Sequence, residues 1–310
     1  MKDFLIRNGL SGGIERIAAT PYSEVDKITT ESGVYYLKKT PPALFIETRI
    51  LSLLRRIDPS LAVPEVVAED EEDFRFVMRS CGDETLRSLF SGRADTGLLE
   101  TAVREYKRIQ EASAPRVRDF LGIGVPDWRL SRLPGLYGDF VRDEGTLERW
   151  GVGRDDRTEL RAMEKIFADA CRRAASCGIP DALNHSDFQE NNMVIAHATG
   201  KISIIDWGEV TIGPALWPVV GFFKKICRRY ALSAESPEGQ RLLESFMSGE
   251  GLGKEDTADA FRSLSLLDCI YYVLSLAALE KNTGTVSAEW SARIKTACDA
   301  FIRLAREKTA

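Results

Sequence analysis

His185-Ser186-Asp187-Phe188-Gln189-Glu190-Asn191-Asn192, followed by Ile204-Ile205-Asp206-Trp207-Gly208, is the stretch that decides the fold. Between the two segments lie apolar runs at 193–196 and 201–205, joined by the turn sequence His197-Ala198-Thr199-Gly200. Folded as a hairpin, Asn192 begins one strand and Asp206 ends the other, so both lie at the same open end. Their oxygen-bearing side chains suit a magnesium ion. Asp187 stands five residues before Asn192, in the loop leading to that end. An isolated Asp or Asn in such places is an ordinary turn former. The combination, with Ile-Ile-Asp-Trp at this distance, is what sets the stretch apart.

The pattern H-x-D-x-x-x-x-N, then an apolar strand ending in Asp, fits phosphoryl transfer. The first Asp orients an acceptor hydroxyl and takes its proton; the Asn and the second Asp hold magnesium on nucleotide phosphates. A second signal is Tyr35-Tyr36-Leu37-Lys38 with Glu47. Lys38 closes a strand pattern and Glu47 lies in the helix that follows. The helical neighbours of Glu47 are Ala43, Leu44, Ile50 and Leu51, none of them basic. Glu47 therefore points inward, where a carboxylate needs a partner. Lys38 can supply it, and the pair would set the lysine on nucleotide phosphates. The alternative is a Glu at the edge of the apolar face. Residues 249–254, Gly-Glu-Gly-Leu-Gly-Lys, lack the spacing, the following Ser/Thr and the preceding strand of a phosphate loop, and read as a helix connection. His197 reads as a turn residue, and no G-x-S-x-G occurs.

Outward from these motifs, the chain before Gly82 is strand-rich: 14–19, 25–29, 34–39, 63–68 and 74–78 read as strands, and 43–56 as a helix. Beyond Gly82 helical spacing dominates, as at Leu98, Ala102, Val103, Tyr106 and Ile109, and again over 160–174. A strand pair falls near 192–206, with helices to the end. The expectation is an α+β fold of two lobes: a small five-stranded N-lobe over 1–81 and a larger helical C-lobe over 82–310. An apolar share of 44% with 29% charged residues is a globular balance. Net charge of −5 argues against nucleic acid as a partner, which demands a basic surface. The basic cluster Lys224, Lys225, Arg228 and Arg229, opposite Phe222, Phe223 and Ile226, reads as a solvated helix face. The most apolar run, 264–279, is interrupted by Asp268 and too short to span a membrane. The first residues form no signal-peptide core. Six scattered cysteines without a CxxC, beside two histidines, argue against a zinc framework and fit buried thiols in a reducing compartment. The expected setting is cytoplasmic.

At the central motif the sequence resembles the aminoglycoside phosphotransferase and choline kinase superfamily, with its protein-kinase-like fold. That family's pattern is H-G-D-[LF]-H-x-x-N and then I-D-[FWY]; here it stands as H-S-D-F-Q-E-N-N and I-I-D-W-G-E. The resemblance covers most of the chain. It implies transfer of the γ-phosphoryl group of ATP, GTP not being excluded, with Mg2+, to a hydroxyl of a small polar, amine-bearing or neutral molecule. By that match Asp187 is the base, Asn192 and Asp206 are metal ligands, Lys38 and Glu47 position the phosphates, and His185 is structural. Phe76-Val77-Met78-Arg79-Ser80-Cys81-Gly82 resembles the nucleotide hinge, where Met78 and the backbone of Arg79 and Cys81 would meet the base. The family places its acceptor beside the catalytic base, against helices after the metal Asp. Here those segments offer Glu209, Trp217, Asp268, Tyr271 and Tyr272, a set suited to a cation. An antibiotic, an amino alcohol, a sugar and a nucleoside all remain open as acceptors, as does the oligomeric state. Two positions depart from the pattern: Gln189 replaces the second histidine, and the nucleotide-covering loop 19–24 has no glycine. The latter favours the rival reading, a non-catalytic nucleotide-binding regulator. No D-F-G or A-P-E segment follows Asp206, which disfavours a protein kinase.

Overall fold

A computed structural model describes residues 1–248, 254–284 and 288–307. It contains the strands β1 (Gly13–Ala19), β2 (Glu24–Thr30), β3 (Gly33–Lys39), β4 (Val66–Asp70), β5 (Arg75–Arg79), β6 (Glu84–Thr85), β7 (Asp181–His185), β8 (Met193–Ala196), β9 (Lys201–Ile204) and β10 (Val210–Pro214). The chain divides into two compact units. One is Met1–Val125 with Gln189–Glu209; the other is Pro126–Phe188 with Val210–Ala310. The class is α+β, with the expected five-stranded sheet early in the chain and helices dominating the rest.

In the first unit the sheet runs β1-β2-β3-β5-β4, all antiparallel. Strand alternation sorts its residues into two faces. Ile28, Tyr35, Leu37 and Val77 pack under Phe4, Leu5 and Leu10, which belong to or follow the helix Lys2–Arg7. Lys38, next to Leu37 and paired in register with Phe76, takes the other face. The helix Ile46–Ile57 follows a 3-10 turn, Pro42–Phe45. Ile50, Leu51 and Leu54 are fully buried along one side of it. Glu47 lies in its first turn, where the helix dipole favours a negative charge.

The hairpin of β8 and β9 forms as expected, Met193 opposite Ile204 and Ala196 opposite Lys201, with Gly200 at φ +68° in the turn. β6 joins it as a third strand. Here Gly82 is a steric necessity: a Cβ would meet Val194 Cβ at 2.9 Å and Ile195 O at 3.0 Å.

In the second unit β7 and β10 pair antiparallel, His185 opposite Val210 and Asp181 opposite Pro214. Around them pack helices including Leu133–Arg142, Glu164–Ser176, Trp217–Arg229, Pro237–Met247 and Lys254–Thr283. A buried aromatic stack of Tyr137 and Phe167, centroids 4.4 Å apart, is part of this core.

Several expectations are corrected. The β7–β10 pair was not anticipated: Asp-Ala-Leu-Asn-His has no alternation, and β10 ends in Gly-Pro. The strand expected at 63–68 begins at Val66, because Leu61 to Val63 form a buried turn closed by Val63 N–H on Leu61 O. The single helix expected over 160–174 is two, Arg154–Ala162 and Glu164–Ser176, broken at Met163. The apolar run 264–279 belongs to a helix of 30 residues, Lys254–Thr283. Over Glu255–Thr283 it is long and apolar enough to cross a membrane, and 67% of its apolar window is buried within the fold, as in a core helix. Residues 249–254, apart from the backbone of Lys254, lie outside the described residues. All six cysteines are free.

Gly82→Ala should destabilise the protein by about 1–3 kcal/mol, the usual cost of forcing a methyl into packed structure. Urea denaturation reads this directly; an unchanged midpoint would contradict the close approach of the Gly82 backbone to β8.

Candidate functional site

The Lys38 ammonium is the centre of the first unit's polar constellation. Its Nζ donates to Glu47 Oε2 at 2.6 Å and to Asp206 Oδ1 at 2.5 Å. Three separate segments thus converge: the end of β3, the helix Ile46–Ile57 and the residue after the β8–β9 hairpin. Lys38 is 6% exposed and Glu47 fully buried, whereas the Asp206 side chain is 48% exposed. Burial alone would lower the Lys38 pKa. The charges of Asp206 and Glu47 outweigh it, so the ammonium holds its proton above the ordinary lysine range. Burial pushes the Glu47 carboxyl up and Lys38 pulls it back. With the charge of Asp206 adding to the rise, it settles above its ordinary value.

Local backbone builds this meeting point. Asp206 sits at φ +68°, a left-handed conformation that Asp tolerates better than most residues. Past that turn, Trp207 N–H donates to Glu47 Oε1 at 3.0 Å. The buried Trp207 indole in turn donates to Ile204 O at 2.8 Å. Gly208 passes so close that a Cβ would lie 3.3 Å from Leu44 O. Ile205 N–H donates to Asn192 O at 2.9 Å, which keeps Asn192 beside the strand end carrying Asp206. The hairpin therefore brings the two expected metal ligands together. Among the described residues no cluster of three or more His, Cys, Asp or Glu could hold a metal ion by itself. One carboxylate and one amide are hard oxygen donors too few to cage a cation, and they fit a magnesium ion that brings phosphate and water oxygens of its own.

Other expected residues of this unit fall as follows. Met78 is buried in β5. Arg79 N–H is taken by Glu65 O at 2.9 Å, and its guanidinium by Glu65 Oε2 and Tyr35 OH. Arg79 N–H is therefore already engaged. Burial raises the Cys81 thiol to about 11. His197 is a turn residue, bonded through its ring to Glu84 and through its N–H to Asp83. In the glycine-free loop, Thr20 Oγ1 accepts from the backbone N–H groups of Tyr22 and Ser23, amides that a glycine-rich loop would leave for phosphates. Gln189, the departure from the family pattern, accepts from Arg87 Nη2 at 2.5 Å, and the buried Glu190 accepts from Arg87 Nε at 3.1 Å. Sequence reasoning missed Arg87, because nothing local links it to a loop 102 residues away. Glu209 is partly buried.

The second unit holds the other half of the motif. His185 is buried in β7, and Asn184 Nδ2 donates to Pro214 O on the paired strand at 3.0 Å. Phe188 anchors the loop by an edge contact with Phe222, centroids 5.0 Å apart. Ser186 Oγ lies 3.0 Å from Tyr271 OH, which is also 3.1 Å from Thr211 Oγ1. The Tyr271 ring packs against Trp128 and against the buried Trp217, 4.3 Å between centroids in the latter. Asp268 is ion-paired with Lys224 at 2.8 Å. Asp187 has Lys225 Nζ 3.9 Å from its Oδ1. The basic cluster expected to be a solvated face is thus partly turned inward. Helical spacing says which residues share a side and not what that side meets.

The profile of the phosphotransferase enzyme family (APH) matches residues 22–255. No curated protein sequence matches the chain. Among solved structures, choline kinase from Streptococcus pneumoniae has 13% identity and a TM-score of 0.61, with 96% of this chain and 96% of that chain covered. Ethanolamine kinase from Plasmodium vivax has 11% identity and a TM-score of 0.60, covering 94% and 84%. An aminoglycoside phosphotransferase in ternary complex with ADP and hygromycin B has 16% identity and a TM-score of 0.53, covering 98% and 97%. At such identities the likeness establishes the fold, which is the protein-kinase-like one.

Lys38→Met should destabilise the protein by about 3 kcal/mol near neutral pH, because it strips a buried carboxylate of its cation. With the lysine gone, Glu47 stays raised above its ordinary 4.5. Such a group contributes its stability fully below the unfolded pKa and loses it as pH rises. The deficit against wild type should therefore shrink as pH falls toward 4.5. Thermal unfolding across pH checks this, and a pH-independent deficit would contradict it.

Proposed function

This chain belongs to the phosphotransferase enzyme family, and on that premise we propose that it moves the γ-phosphoryl group of a magnesium-bound nucleotide, ATP or GTP, onto a hydroxyl of a small polar molecule. The observation that carries this reading is the Lys38 ammonium joined to both Glu47 and Asp206, at 2.6 and 2.5 Å. A lysine fixed by a helix glutamate, beside a carboxylate at the end of a hairpin, is the arrangement phosphoryl transfer needs, since that chemistry rests on positioning and charge neutralisation.

In this reading Lys38 binds nucleotide phosphate oxygens and Glu47 keeps it there. Asn192 and Asp206 would hold magnesium, which when bound would neutralise phosphate charge. Met78, the carbonyl of Arg79 and the backbone of Cys81 contact the base. Asp187 orients the acceptor hydroxyl and accepts its proton as the oxygen bonds to the γ-phosphorus and the bond from that phosphorus to the β–γ bridging oxygen breaks, releasing the nucleoside diphosphate. Along the chain, the five residues from Asp187 to Asn192 span at most about 18 Å. The ADP bound to one structural neighbour supports nucleotide use, and the absence of a D-F-G segment supports a small-molecule acceptor over a protein. The engaged amides of the loop 19–24 leave phosphate binding to Lys38 and the metal.

Asp187→Asn should keep nucleotide affinity and lower turnover by about 10²-fold or more, since an amide cannot accept the proton. ADP release over a panel of hydroxylated metabolites measures it; turnover near wild type would remove Asp187 as base. Asp206→Ala should weaken magnesium-dependent nucleotide binding more than Asn192→Ala, because it removes a full charge from the cation. Calorimetric titration with and without magnesium gives the ranking, and equal affinity for wild type and Asp206→Ala would refute the ligand assignment.

A further inference from the structure

The charge that the second unit places beside Asp187 is positive. Lys225 Nζ lies 3.9 Å from Asp187 Oδ1, with the two side chains 30% and 43% exposed. That separation is too long for a charge-assisted hydrogen bond, so the pair is a loose one that a better-placed anion can replace. Lys225 belongs to the helix Trp217–Arg229, whose Phe222, Phe223 and Ile226 are buried and fix its rotation. Arg229, one turn further on, shares the Lys225 side of that helix.

Two groups of this unit that could greet an amine, Asp268 and Tyr271, are otherwise engaged. The Asp268 carboxylate is held by Lys224 at 2.8 Å, and Lys224 also donates to Ser265 O. The Tyr271 hydroxyl meets Ser186 and Thr211, and its ring is closed between Trp128 and Trp217. These residues hold the loop bearing Asp187 and leave no acidic or aromatic surface of their own for a cation. An amine beside the reacting hydroxyl would compete with Lys225 for Asp187 and be repelled by it. An acceptor with an anionic group completes the charge balance: as the hydroxyl takes Asp187, the anion takes Lys225.

We propose that Lys225 selects the acceptor, binding a carboxylate or phosphate group of the molecule whose hydroxyl Asp187 activates. This rests on the kinase reading above and narrows its substrate class to hydroxylated anions. The test is ADP release with magnesium and ATP across four acceptor classes: hydroxy acids, sugar phosphates, neutral polyols and nucleosides, and amino alcohols with aminoglycosides. The anionic classes should be turned over best, and the contrast between hydroxy acids and sugar phosphates identifies the anion. Lys225→Gln should raise the acceptor KM by about tenfold or more with the ATP KM unchanged, Lys225→Arg should restore it, and Lys225→Glu should shift preference toward amines. Best turnover of amines or neutral polyols, or an acceptor KM indifferent to Lys225→Gln, overturns the assignment while the kinase reading stands. Turnover of no class at all sinks the kinase reading and this one with it.

Discussion

A buried lysine is tolerable only with its charge matched, and the first unit is organised around matching Lys38. Taking an ammonium out of water costs several kcal/mol, and a well-placed anion is needed to offset it. Here two carboxylates serve, one from the helix after β3 and one 168 residues away in sequence. Satisfying both fixes the helix against the sheet and the hairpin end against the helix. It also explains the backbone detail: the left-handed turn at Asp206, the Trp207 N–H on Glu47 and the glycine at 208 all serve the same convergence. Asp206 stays half exposed, which suits a ligand that must also meet something from solvent.

What was legible in the sequence was what local periodicity decides. Lys38 closes a strand pattern, and helical spacing left Glu47 without a basic neighbour; together they predict the pair that forms. The hairpin was legible because two apolar runs flanked an evident turn. The β7–β10 pair was not, since its pairing is non-local and a buried polar residue such as Asn184 finds a partner, Pro214 O, on the other strand. Arg87 escaped for the same reason. Its helix spans only five residues and gives no hint of the loop it grips.

On the acceptor side, residue type alone does not say which groups a ligand can reach. Acidic and aromatic residues after the metal-ligand position suggested a cationic acceptor. The structure shows what three of them already touch: Asp268 a lysine, Tyr271 two hydroxyls, Trp217 the core. Lys225, on a helix face that reads as solvated, lies 3.9 Å from Asp187. A side chain's chemistry becomes available to a ligand only after the fold's own demands are met, and those demands are set by partners distant in sequence.

The central claim is that the Lys38 constellation serves transfer of a phosphoryl group to an organic hydroxyl. Incubating the protein with ATP labelled at the γ-phosphorus and a mixture of small hydroxylated metabolites, then following the label by chromatography, tests it most directly. Label should appear in an organic phosphate, and only with magnesium present. Label that stays in ATP, or leaves only as inorganic phosphate, would contradict it.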